Sequence, residues 1–194
     1  MNIKNVSLFG ILFAFVVIAL GAWTRLVDAG LGCPDWPGCY GFVFFPTTEA
    51  EVALAEQRYP AFPYEIDKAI PEVVHRYFAA ALGLLAIFIV YLTHKTEDKQ
   101  NKRISIFLLI FICCQGLFGY LTVSLKLLPI IVTTHLFGGF ITLSTFFYLY
   151  IKNSNFFKNF QIGHLKNLAM FALFVLVIQI FLGAWTSTNY AARA

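Results

Sequence analysis

Apolar residues crowd into five stretches, Leu8 to Val27, Ile70 to Thr93, Ile104 to Leu125, Ile130 to Ile151 and Leu168 to Ser187, with most polar residues in the segments between them. A helix rises about 1.5 Å per residue, so roughly 20 apolar residues cross a hydrocarbon core of about 30 Å. Each stretch meets that length. The pattern predicts an all-α membrane protein of about five transmembrane helices: an antiparallel four-helix bundle followed by one more span. The first apolar run is long, and Trp23-Thr24-Arg25 follows where a small-residue cleavage site would stand, so it is expected to remain as a helix rather than serve as a signal peptide.

One connection is long. Asp28 to Ala69, together with the neighbouring Pro71, holds six of the seven prolines and reads as a lid or binding loop. Within it, the acidic, Ala-rich stretch Thr47 to Gln57 predicts a short surface helix, and Tyr59 to Tyr64 an extended approach to the second span. Thr93 to Arg103 and Lys152 to Lys166 are short polar loops. Lys126 to Pro129 is a tight turn, which makes the third and fourth spans antiparallel neighbours.

A composition of 59% hydrophobic, 18% aromatic and 12% charged residues excludes an ordinary soluble domain. Basic residues near helix ends resist translocation. With the N-terminus inside, eight basic residues against two acids fall on the inner side, and six against eight on the outer, consistent with the net +4. The expectation is a bacterial inner-membrane protein with a cytoplasmic N-terminus and the long loop outside. The basic excess is spread over short loops, so no nucleic-acid partner is expected.

Gly-x-x-Thr recurs near the outer end of each outward-running span, at Gly21/Thr24, Gly119/Thr122 and Gly183/Thr186, with Gln115 and Gln179 one turn earlier in two of them. Small residues so spaced let helices approach closely, and helix packing is the simplest reading. The words Gly21-Ala22-Trp23-Thr24 and Gly183-Ala184-Trp185-Thr186 are identical, so the fifth span reads as a second copy of the first. The expected organisation is a first four-helix unit over 1–151 with its outer loop at 28–69, a cytoplasmic linker at 152–166, and over 167–194 the first helix of an incomplete second unit.

Histidine inside a membrane helix is costly and usually functional. His75 and His135 each lie about five residues into an inward-running span, ~8 Å below the outer surface. Two imidazoles at one depth can face each other across a flat ligand, and a haem iron with two axial histidines fits. Gly138 and Gly139 after His135, and Ala79, Ala80 and Gly83 after His75, are expected to leave room for it. A zinc or copper site would want a third ligand. His94 and His164 fall in loops and are expected to be solvated.

Glu72 stands three residues before His75 on the same helix face, followed by Arg76. It reads as the outer helix cap, with Pro71 in the first turn, and is also placed to accept a proton from a reacting group. Arg76 is suited to a haem propionate or to Glu72. Cys33 and Cys39 on the oxidising side read most simply as a disulfide, with redox activity as the alternative. Cys113 and Cys114 read as packing residues.

The stretches Gly21 to Arg25, Gly30 to Gly41, Glu72 to Arg76, Gln115 to Val123, Thr134 to Leu136 and Leu182 to Ala192 together resemble the haem A synthase family. That resemblance implies an oxidoreductase that converts the ring D methyl of haem O to a formyl group, giving haem A for terminal oxidases. It makes His75 and His135 axial ligands of the substrate haem, Glu72 the catalytic carboxylate and Cys33 with Cys39 the family's outer cysteine pair. It implies as partners haem O, the enzyme that supplies it and membrane lipid, and leaves a homo-oligomer open. Family members resemble a tandem of two four-helix units, the second associated with a haem b, so these residues are expected to be the substrate-binding half. Two alternatives remain: a bis-His b-type cytochrome that only transfers electrons, and a thiol oxidase working through Cys33 and Cys39.

Overall fold

The computed structural model describes residues 2–154, 163 and 165–189, which form six helices. They are α1 (Ile3–Leu26), α2 (Glu49–Arg58), α3 (Ile66–His94), α4 (Lys99–Ser124), α5 (Pro129–Lys152) and α6 (Leu165–Thr188). All but α2 are long and apolar enough to cross a membrane, and the chain is an integral membrane protein of the all-α class. α2 is the surface helix anticipated in the long loop. Its start is fixed by a capping box, in which Thr48 accepts from the Glu51 backbone and the Glu51 carboxylate accepts from the Thr48 backbone.

Several spans begin earlier than their apolar runs. α1 starts at Ile3 behind the Asn2 cap, α3 at Ile66, and α4 at Lys99, where the Asp98 carboxylate accepts from the Gln100 and Asn101 backbones at 2.9 and 3.0 Å. Helical hydrogen bonding does not stop where hydrocarbon stops, so a capped polar turn continues each span. The early start of α3 corrects one expectation: Glu65 occupies the cap position, Pro71 lies inside the helix, and Glu72 is not a helix cap. Pro71 removes a single backbone bond, the one to the Asp67 carbonyl.

α1 packs on α3 and α5, and α4 packs on the same two. The four form a square with α3 and α5 on one diagonal. α4 and α5 are joined by the expected tight turn, in which Lys126 and Leu127 take positive φ (48° and 60°). α6 lies against α5, Phe137 beside Phe181 at 6.5 Å, and Arg25 of α1 donates to the Ser187 carbonyl. Among the described residues of α6 only Ala184 and Thr188 are buried. Large side chains such as Phe15, Leu84, Ile110 and Leu173 point outward, as lipid rather than water requires.

The apolar core, built on Val6, Ala86, Ile89, Leu108, Phe146 and Leu149, lies toward the end away from the long loop. That end is closed by polar contacts. Thr93 and Ser105 share a hydrogen bond of 2.7 Å, Asn101 and Asn153 exchange amide bonds of 2.9 and 3.2 Å, and Lys152 pairs with Asp98. α1 meets α5 closely because Gly10 has no side chain: a Cβ there would stand 2.3 Å from the Phe146 ring. Gly10→Ala is therefore expected to destabilise the bundle by about 1–3 kcal/mol, read as a lower midpoint in thermal unfolding in detergent, with partial recovery on adding Phe146→Leu.

Candidate functional site

The opposite end is covered by the loop between α1 and α3. Gly32 presses onto the start of α3, where a Cβ would come within 2.3 Å of the Lys68 carbonyl. Cys33 and Cys39 form a disulfide, and both are buried with Tyr40, Ala55, Ala69 and Val73 in a second small core. The Asp35 carboxylate folds the segment after the disulfide by accepting from the Tyr40 and Gly41 backbones at 2.6 and 2.8 Å. Trp36 then reaches α4, its ring 6.1 Å from that of Tyr120.

Tyr40 is held edge-on between Tyr59 and Tyr64 at 5.7 and 5.3 Å, and its hydroxyl donates to the Pro63 carbonyl at 3.0 Å. Burial, helped by the Glu65 carboxylate, pushes its phenol up to about 12 from 10.0. A raised folded-state value means stability present below the unfolded value and lost as the pH climbs toward the folded one. Between pH 10 and about 12 the loop is expected to loosen, followed by proteolysis of the 28–65 segment, and Tyr40→Phe should remove much of that dependence.

Glu72, three residues before His75 on α3, is buried at 5% exposure. One carboxylate oxygen accepts from the Cys33 backbone at 2.9 Å and the other pairs with Arg76. Arg76 also donates to the Asp35 carbonyl at 2.8 Å and the Gly38 carbonyl at 2.5 Å. Of the two roles anticipated for Arg76, the structure displays the pairing with Glu72. The disulfide loop is thus bound directly to the Glu72–Arg76 pair, so charge and loop fold hold each other in place.

His75 and His135, on diagonally opposed helices, meet inside the bundle with ring centres 6.4 Å apart and planes at 89°. His75 rests on α1: its Nδ1 lies 3.1 Å from the Val17 carbonyl, and a Cβ on Gly21 would stand 2.9 Å from its Cε1. A carbonyl partner puts the proton on Nδ1 and leaves the Nε2 lone pair available. His135 lies beside Gly119 of α4, 3.7 Å from a Cβ position there, and its Nδ1 is buried without a hydrogen-bond partner. Among the described residues no three His, Cys, Asp or Glu side chains gather as a set able to hold a bare metal ion.

Three expectations change at this point. Gly138 does not leave empty space, because the Gln115 side chain fills it, its amide nitrogen 1.6 Å from where a Cβ would be; Gly139 is closed by Ile18 at 3.2 Å. Cys113 and Cys114 are exposed on the outside of the bundle rather than packed within it. His94 is exposed at the end of α3 as expected, whereas His164 lies outside the described residues. The close approach at Gly21 and the role of Asp35 were not foreseen. The Gly-x-x-Thr repeat was the available signal for the first, since two of its three glycines stand against the two histidines.

A sequence profile for cytochrome oxidase assembly proteins matches residues 4–194, nearly the whole chain. The chain belongs to this family. A heme A synthase of Shewanella oneidensis is 45% identical over 187 residues, which is 95% of this chain and 56% of that protein. Heme A synthases of Flavobacterium johnsoniae and Flavobacterium psychrophilum are 28% and 27% identical, each over 92% of this chain and 59% of its own length. This member of the family therefore spans a little over half the length of the curated relatives it matches. Membership accords with the five helices long and apolar enough to cross a membrane.

Proposed function

We propose that this chain is the substrate-binding part of a haem A synthase, holding haem O between His75 and His135 while its ring D methyl is oxidised to a formyl group. The observation that carries the reading is the pair of imidazoles from diagonally opposed helices with ring centres 6.4 Å apart. Two metal–nitrogen bonds of about 2 Å each, with the ring halves beyond them, come to about 6 Å. The donors fit as well: His75 keeps Nε2 free by donating from Nδ1 to a carbonyl, the usual arrangement of a ligating histidine, and His135 has a buried nitrogen without a partner.

Turning a methyl into a formyl group removes four electrons and, with the added oxygen counted as water, releases four protons. Glu72, one helical turn from His75, is the carboxylate placed to accept such protons. The Cys33 backbone and Arg76 orient it, and it is buried at the contact with the disulfide loop. Arg76 acts here as a positioning residue, with a haem propionate as a further partner, and the disulfide as the brace of the loop. A b-type cytochrome would leave the Glu72–Arg76–loop assembly without a task. In this reading the site faces the outer side of a bacterial inner membrane with the N-terminus in the cytoplasm, as the basic residues favour. In the same reading residues 1–151 belong to one four-helix unit and α6 opens a second, where the resemblance reserves a place for haem b.

The test is production of haem A. Membranes carrying the full-length protein, supplied with haem O by its farnesylating enzyme, should yield haem A on chromatography of extracted haems. Haem O that persists unchanged in those membranes would overturn the reading.

A further inference from the structure

Although related by the architecture, the two histidines have unlike surroundings. The Gly21 position sits one turn beyond Val17 on α1, so the missing side chain bares the carbonyl that His75 Nδ1 reaches at 3.1 Å. The same glycine fixes the ring sterically, because a Cβ there would stand 2.9 Å from Cε1 and 3.3 Å from Nε2. His75 is therefore held both by a hydrogen bond and by contact. His135 has neither constraint to that degree. Its Nδ1 is buried with no partner, and the glycine of the repeat beside it, Gly119, leaves an ordinary 3.7 Å contact. The polar side chain of Gln115, one turn before Gly119, is turned into the notch at Gly138.

We propose that the two are unequal ligands: His75 is the anchored one, set by Gly21 and the Val17 carbonyl, and His135 is the one that releases. This rests on the haem reading above. A ligating histidine whose other nitrogen donates to a carbonyl is a stronger, better oriented donor than one without such a partner. A substrate has to enter and its product has to leave, which a pair of equally rigid ligands would hinder. Release breaks the iron–His135 bond, the electron pair returns to the imidazole nitrogen, and no redox change is involved. Gly21 is on this account a positioning residue.

The probe is hemin added to the full-length protein in detergent, with the spectrum of any haem carried through purification subtracted. Wild type should take up hemin as a low-spin species. His135→Ala should keep hemin, converted to a five-coordinate high-spin form, with affinity within about tenfold of wild type, whereas His75→Ala should lose on the order of 10–100-fold. Gly21→Ala should speed hemin transfer to apomyoglobin, while Gly116→Ala, a position with nothing within 4 Å, should not. Equal losses in the two histidine variants, or a greater loss in His135→Ala, would overturn the asymmetry even with wild type binding normally. Wild type that takes up no low-spin hemin would bring down the haem reading, and this inference with it. If Gly21→Ala loses helical content, the ranking of the two histidine variants decides.

Discussion

Glu72→Gln is expected to leave hemin uptake intact and to lower conversion of haem O to haem A by roughly 10²- to 10⁴-fold, the range for removing a positioned acid–base group. The substitution keeps the size of the side chain and one oxygen to accept from the Cys33 backbone; its amide nitrogen then faces Arg76, and the loop is held by the Arg76 donations to the Asp35 and Gly38 carbonyls. What it removes is the capacity to take up a proton one turn from His75. The measurement is haem A formed per bound haem in membranes of the two proteins. Comparable yields would show that the carboxylate only braces the loop, and would return the b-type cytochrome to consideration.

Arg76→Ala should have the larger effect on stability. It leaves the Glu72 carboxylate, at 7% side-chain exposure, without its counter-charge, and strips the Asp35 and Gly38 carbonyls of their donor. Removing one partner of a buried ion pair costs about 3–5 kcal/mol. The expected result is a lower unfolding midpoint with early proteolysis between residues 28 and 65. Arg76→Lys should recover little, because one ammonium cannot reproduce a planar fork that spans a carboxylate and two carbonyls. Adding Glu72→Gln to Arg76→Ala should restore part of the loss, since the unpaired charge is then gone. Without such recovery, the loop contacts of Arg76 rather than the ion pair dominate.

Much of the architecture is written in local signals. Five runs of apolar residues long enough for a bilayer fix the spans, and the polar turn at 126–129 fixes one antiparallel pairing. The short helix α2 follows from Thr48 and Glu51, whose capping needs no tertiary partner. Helix starts were less legible, because a capped polar turn outside the hydrocarbon carries no hydropathy signal, and Pro71 looks like a first-turn residue until Glu65 proves to be the cap.

The candidate site was legible as a list and not as an arrangement. His75, His135, Glu72 and Arg76 stand out because ionisable groups in apolar runs are rare. Their partners do not. The Val17 carbonyl has no sequence signature, and Asp35 is one of many loop acids until the fold brings the Tyr40 and Gly41 amides to it. Gly138 was misread for a related reason: a glycine signals close approach but not what approaches, and here it is the Gln115 amide.

That last contact has a consequence for descent. With the Gln115 amide nitrogen 1.6 Å from the place of a Cβ at Gly138, position 138 can carry a side chain only where the amide swings out of the notch or the residue at 115 is shorter. Shortening at 115 leaves Gly138 undisturbed and opens the notch, so the coupling runs one way, from 115 to 138. In an alignment of relatives, a residue larger than glycine at 138 should accompany a side chain smaller than glutamine at 115.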